Sequence, residues 1–171
     1  KKINLQDMGS VPYIRVKKRK KETFHNSVSL LNPRISMGYL EALRKLRIRI
    51  MKEMETNGYQ TLLVTSSVPG EGKTTLSANL AISIAQQGKK VLLIDCDLRN
   101  PSIAGVMNEQ EVHPGLGAVL KKEVPLLKTL KNIELPKERT NANGKLHVMF
   151  GGEASREDSV LIGSKRMELM I

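Results

Sequence analysis

The chain has 171 residues, of which 40% are hydrophobic, a single cysteine and a formal net charge of +11. That length and apolar content are enough for one α/β core with an appended arm. No apolar run approaches the roughly eighteen residues of a membrane-crossing helix, no secretory signal is legible, the lone Cys96 excludes an internal disulfide and accords with a reducing, cytosolic setting, and three Tyr, two Phe and no Trp argue against base stacking on nucleic acid.

Residues 1–34 hold nine Lys/Arg against two acids, and residues 35–171 hold nineteen against fifteen, so the charge is concentrated in the arm. Six cations fall within Arg15–Lys21, a density that attracts anionic lipid headgroups or phosphates, or that simply solvates a tail. The preceding Gly9–Ile14 stretch, with Pro12, reads as linker.

From Asn32-Pro33, a turn signal, the chain becomes regular. Ser36 is positioned as an N-cap, and Met37, Leu40, Leu43, Leu46, Ile50 and Met54 recur at helical spacing up to Asn57-Gly58. The other side of this predicted helix carries Glu41, Arg44 and Arg47 at three-residue steps. The spacing alone favours a Glu41–Arg44 pair along the helix; the alternative is an array that meets carboxylates of a neighbouring subunit.

Thr61–Thr75, TLLVTSSVPGEGKTT, is predicted as strand, loop and helix entry, with the strand at Leu62–Thr65 and the core helix running over Leu76–Gln87 to a stop at Gly88. Gly70 and Gly72 let backbone N–H groups approach a phosphate chain, with the helix dipole behind them. Lys73 is spaced to reach the β- and γ-phosphates and the Thr74 hydroxyl to ligate Mg²⁺, while Ser67, Pro69, Glu71 and Thr75 complete the candidate nucleotide-binding loop. Ser67 stands where the usual motif begins with Gly.

Val91–Ile94 is apolar on both faces, as a central parallel strand requires, and ends in Asp95-Cys96-Asp97-Leu98-Arg99. Ligands bind in open α/β sheets beyond the carboxyl ends of strands. Asp95 and Asp97 are therefore expected to face the phosphates held by Lys73 and Thr74, with Asp95 holding Mg²⁺ through water and one of the pair taking a proton from an attacking hydroxyl. The plainer alternative makes Asp97 a turn cap paired with Arg99. Farther on, Ser102–Met107 and Leu116–Lys122 read as short helices, Lys137–Gly144 as a loop and Lys145–Phe150 as a strand; His25, His113 and His147 lack partners at metal-binding spacing.

SSVPGEGKTT together with LLIDCDLRNPS resembles the bacterial tyrosine kinases, P-loop enzymes that autophosphorylate and control capsule and exopolysaccharide synthesis. Leu92–Arg99 is similar to their second Walker-type segment, and Glu41, Arg44 and Arg47 to a helix motif that serves ring-like oligomer assembly. Pro114–Leu120 and Ser164–Met167 are similar to further segments, so that the resemblance covers about residues 36–171. It implies a P-loop NTPase-type three-layer αβα sandwich with a mostly parallel sheet over residues 35–171, preceded by a basic juxtamembrane arm over 1–34. It implies ATP and Mg²⁺ as ligands, Lys73, Asp95 and Asp97 as catalytic, and Thr74, Asp95 and Asp97 as metal-binding. It further implies other copies of the chain, a membrane polysaccharide co-polymerase part and an anionic membrane surface as partners, at the cytoplasmic face of the cell membrane. The family's Walker B acid and tyrosine-rich cluster have no counterpart here, so the domain is expected to be C-terminally incomplete, with a further strand needed to close the sheet. A partitioning-type surface ATPase is disfavoured because Val68 stands where those proteins carry a second lysine; a non-catalytic nucleotide-sensing scaffold uses the same loop.

Overall fold

The computed structural model describes residues 6–13, 29–32, 35–109, 114–137, 141 and 143–170. The cationic Arg15–Lys21 run, Pro33, His25 and His113 lie outside the described residues.

Helix α1 spans Met37–Asn57. The Ser36 hydroxyl accepts the Tyr39 N–H at 3.3 Å as an N-cap, and Gly58 closes the helix at φ +70°, a left-handed conformation that glycine adopts without a Cβ penalty. Tyr39, Leu43 and Leu46 are buried, with Leu40 and Ile50 packed beside them, whereas Met37 is exposed. Tyr39 therefore takes the stripe position that periodicity assigns to Met37. Helix α2, Lys73–Ala85, starts three residues earlier than its apolar pattern predicts. It buries Ala78, Leu80, Ala81, Ile82 and Ala85, and a helix apolar around most of its girth belongs inside the domain. It packs against α1, against the sheet and against the short helix α3, Ile103–Met107.

The sheet has three strands in the order β1-β3-β2, with β1 at Lys90–Ile94, β2 at Leu130–Ile133 and β3 at Lys145–Met149. β1 runs parallel to β3, from Lys90 opposite Lys145 to Ile94 opposite Met149, and β2 runs antiparallel to β3, with Ile133 opposite Leu146. The period-two alternation of β3 divides two cores. Leu146 and Val148 join Ile82, Leu43 and Val106 on the side of α1, α2 and α3. Met149 joins Leu98, with Leu116 and Leu120 of helix α4, Leu116–Leu120, and Met167 of helix α5, Lys165–Glu168. Helices thus cover both faces of a sheet, the three-layer α/β arrangement.

One expectation needs correction. Leu62–Thr65 is not a strand: no described strand lies beside it, and Leu63 is 81% exposed. β1 likewise has no neighbour on its outer edge among the described residues, and its Leu92 is 47% exposed. An apolar run has the composition of a strand, but it becomes one only where a partner supplies the ladder. Among the described strands the sheet is mixed, with β1 parallel to β3 and β2 antiparallel at the edge. Among the described residues no helix is long and apolar enough to cross a membrane.

Candidate functional site

The loop between Ser66 and Gly72 turns through two left-handed glycines, Gly70 at φ +84° and Gly72 at φ +90°. A Cβ at either would meet nothing within 4 Å, so backbone conformation rather than crowding demands glycine here. Because α2 begins at Lys73, the N–H groups of Lys73, Thr74 and Thr75 belong to a first turn without intrahelical acceptors, in the positive field of the helix dipole. The loop already holds an anion of its own. The Glu71 carboxylate accepts the backbone N–H of Ser67 at 3.1 Å and of Val68 at 3.4 Å, together with the Ser67 hydroxyl.

Across from the loop, the Lys73 ammonium lies 3.6 Å from Asp97 Oδ2, with the two side chains 34% and 39% exposed. The other oxygen, Asp97 Oδ1, accepts the Asn100 N–H at 3.1 Å. Asp97 does cap its turn, as the plainer sequence reading holds, but its cationic neighbour is Lys73. Arg99 instead donates to the Ser159 hydroxyl at 3.1 Å.

Asp95 occupies a different environment. Its N–H continues the β1–β3 pairing by donating to the Met149 carbonyl, and the residue is only 5% exposed. Oδ2 accepts the N–H groups of Ser102 and Ile103 at 3.0 and 3.1 Å, and Oδ1 accepts that of Asp97 at 3.2 Å. Burial pushes its pKa above the ordinary aspartate value, while these three N–H bonds pull the other way. Asp95 thereby caps α3, the part an N-cap side chain ordinarily plays. Ser102, at the N-cap position itself, makes no capping bond; its hydroxyl lies 2.9 Å from that of Thr74. Thr74 and Asp95 are thus joined through one residue that the motif reading passes over, although a serine opening a predicted helix is visible in sequence.

The loop after β3 supports this rim from below. Gly151 packs on Pro101, and Phe150 and Gly151 carbonyls accept the N–H groups of Leu116 and Gly117. Close approach fixes glycine at Gly115, where a Cβ would come within 2.3 Å of the Gly152 nitrogen and the Phe150 oxygen.

Within this chain Glu41, Arg44 and Arg47 do not share one set of contacts. Arg44 donates to Glu41 at 3.1 Å along the exposed side of α1. Arg47 turns inward, and its Nη1 donates to the carbonyl and hydroxyl of Ser83 on α2 at 3.2 and 2.9 Å. Among the described residues no group of three or more His, Cys, Asp and Glu side chains is suited to hold a metal. Thr74, Asp95 and Asp97 supply oxygen only, a set that fits a hard cation such as Mg²⁺ when waters and substrate phosphates complete the shell.

A glycine-turned loop entering a helix, with a lysine facing a strand-end carboxylate, defines a nucleotide-binding α/β domain. The chain belongs to the CobQ/CobB/MinD/ParA nucleotide binding domain family, whose model matches residues 62–171. It is also similar to proteins named as tyrosine kinases. It is 36% identical over 129 residues to tyrosine-protein kinase YwqD of Bacillus subtilis, covering 75% of this chain and 50% of that protein. It is 39% identical over 114 residues to tyrosine-protein kinase CpsD of Streptococcus pneumoniae, covering 66% and 46%. Among solved structures, the kinase domain of Escherichia coli tyrosine kinase ETK matches with a TM-score of 0.73 at 26% identity, over 96% of this chain and 63% of that one. The chain thus spans about half the length of these two relatives.

Proposed function

We propose that the chain is the nucleotide-binding part of an ATP-dependent protein-tyrosine autokinase that phosphorylates neighbouring copies of itself and regulates capsule or exopolysaccharide polymerisation and export. The observation that carries this reading is the approach of Lys73 to Asp97 at 3.6 Å, which brings the phosphate loop and the strand-end carboxylates to one rim. Kinship with proteins named tyrosine-protein kinases supports it.

In this reading Lys73 and the N–H groups of the loop and first helical turn offset negative charge on the phosphoryl group passing from ATP to a tyrosine oxygen. Thr74, Asp95 and Asp97 would hold Mg²⁺, which when bound would supply neutralisation of phosphate charge. Asp97, the more exposed carboxylate, accepts the proton that the tyrosine hydroxyl releases. Asp95, committed to backbone N–H groups, acts through water and through the alignment of its neighbours. The exposed Glu41–Arg44 pair is the part of α1 suited to meet a second copy in a ring, with Arg47 steadying the helix beneath it. The cationic Arg15–Lys21 run suits an anionic membrane surface, which would set the protein at the cytoplasmic face of the cell membrane beside a polysaccharide co-polymerase part.

Incubation of the full-length protein with ATP and Mg²⁺ tests this reading. Phosphotyrosine is expected to accumulate and to disappear in Lys73→Met. Either the absence of phosphotyrosine or its persistence at the same level in Lys73→Met would defeat the proposal.

A further inference from the structure

Ser102 stands at the N-cap of α3, where a serine hydroxyl ordinarily accepts a backbone N–H of the first turn. Here it makes no such bond, and Asp95 Oδ2 takes the Ser102 and Ile103 N–H groups instead. The hydroxyl is turned to Thr74, with 2.9 Å between the two oxygens. A serine that gives up its local capping bond for a partner 28 positions away is held in place by tertiary structure.

That partner is the hydroxyl which the functional reading above assigns to the metal, and this inference rests on that reading. A hydroxyl ligates a cation through an oxygen lone pair, so its hydrogen must point elsewhere and needs an acceptor. Hydrogen bonds from outside the coordination shell fix the orientation of ligands in this way. We infer that Ser102 is the positioning residue of the metal site: its oxygen accepts the Thr74 hydroxyl hydrogen and turns a Thr74 lone pair toward the cation. The Ser102 N–H, held by Asp95, ties that orientation to the end of β1. One residue therefore couples two metal-side groups carried on different elements.

The test compares full-length wild type, Ser102→Ala and Ser102→Thr. Free Mn²⁺ is followed by electron paramagnetic resonance during titration with a non-hydrolysable ATP analogue, the uptake by the same analogue without protein is subtracted, and affinity for the analogue is measured in EDTA. Ser102→Ala is expected to weaken Mn²⁺ binding about tenfold or more and to leave metal-free nucleotide affinity within about twofold of wild type, since the phosphate loop itself is untouched. Ser102→Thr, which keeps the hydroxyl, is expected to restore Mn²⁺ binding. Unchanged or tighter Mn²⁺ binding in Ser102→Ala overturns the inference alone, the tighter case meaning that Ser102 competes with the metal for Thr74. An equal fall in both affinities also overturns it, by reducing Ser102 to a general structural contact. Wild type that binds no Mn²⁺ with the nucleotide analogue overturns the functional reading, and this inference with it.

Discussion

The Glu71 carboxylate accepts the Ser67 backbone N–H at 3.1 Å within the phosphate loop. The same oxygen is 3.4 Å from the Val68 nitrogen, so an internal anion occupies donors of the kind that bind phosphate. A triphosphate bound through these same donors would displace it. Removing a competing acceptor worth about 1 kcal/mol corresponds to roughly a fivefold change in affinity. Glu71→Ala is expected to tighten ATP binding several-fold by isothermal titration; weaker binding would mean that Glu71 instead organises the loop for its ligand.

Arg47 and Arg44 are neighbours on α1 with opposite fates. Arg47 holds the carbonyl and hydroxyl of the buried Ser83, whereas Arg44 pairs with Glu41 in solvent. Hydrogen bonds from a charged donor to partly buried acceptors are worth roughly 1.5–3 kcal/mol, and exposed pairs contribute far less. Arg47→Ala is expected to lower the urea midpoint of the chain, and Arg44→Ala to leave it unmoved. Equal effects on the two midpoints would contradict the assignment.

Gly115 faces backbone that cannot move aside cheaply, since a Cβ there would stand 2.3 Å from the Gly152 nitrogen and the Phe150 oxygen. Gly115→Ala is expected to cost about 1–3 kcal/mol, the range for overpacking. Gly163→Ala provides the control, because a Cβ there meets nothing within 4 Å. Thermal melts should separate the two by several degrees, and coincident melts would contradict the close packing at Gly115.

Asp95 sets a pH dependence of opposite sign to that of a salt-bridged aspartate, whose pKa is lowered. Burial raises its pKa in the folded chain. A carboxyl so shifted contributes stability that is fully present below its unfolded pKa and is lost as pH rises through the raised value. Asn at this position does not titrate. The urea midpoint of Asp95→Asn, taken in EDTA, is therefore expected to gain on wild type as pH rises from the ordinary aspartate value through the raised one. If the variant loses ground as pH rises, the three N–H bonds outweigh burial and the sign is reversed.

The parts of the molecule legible in sequence are those whose cause is local. The period of α1 and its Ser36 and Gly58 caps, the loop glycines and the apolar β1 ending in Asp95 all follow from neighbours along the chain. What escapes depends on partners distant in sequence. Leu62–Thr65 has strand composition and no strand beside it, and Leu130–Ile133 becomes β2 only because β3 accepts it, despite Lys131 and Asn132. Arg47 reaches Ser83 because α1 crosses α2, which no spacing on α1 encodes. Ser102 is visible as a helix opener, but its bond to Thr74 exists only once α2 and the end of β1 meet.

In the proposed function Lys73, Thr74, Asp95 and Asp97 serve a single triphosphate and its metal. Crystals of the full-length protein grown with a non-hydrolysable ATP analogue and Mn²⁺ address it through the anomalous signal of the metal. One Mn²⁺ peak is expected on the rim between the Thr74 hydroxyl and the Asp95–Asp97 carboxylates, with the terminal phosphate against Lys73. A peak elsewhere, or an analogue bound away from the Gly70–Thr75 turn, would mean that these four side chains do not share one ligand.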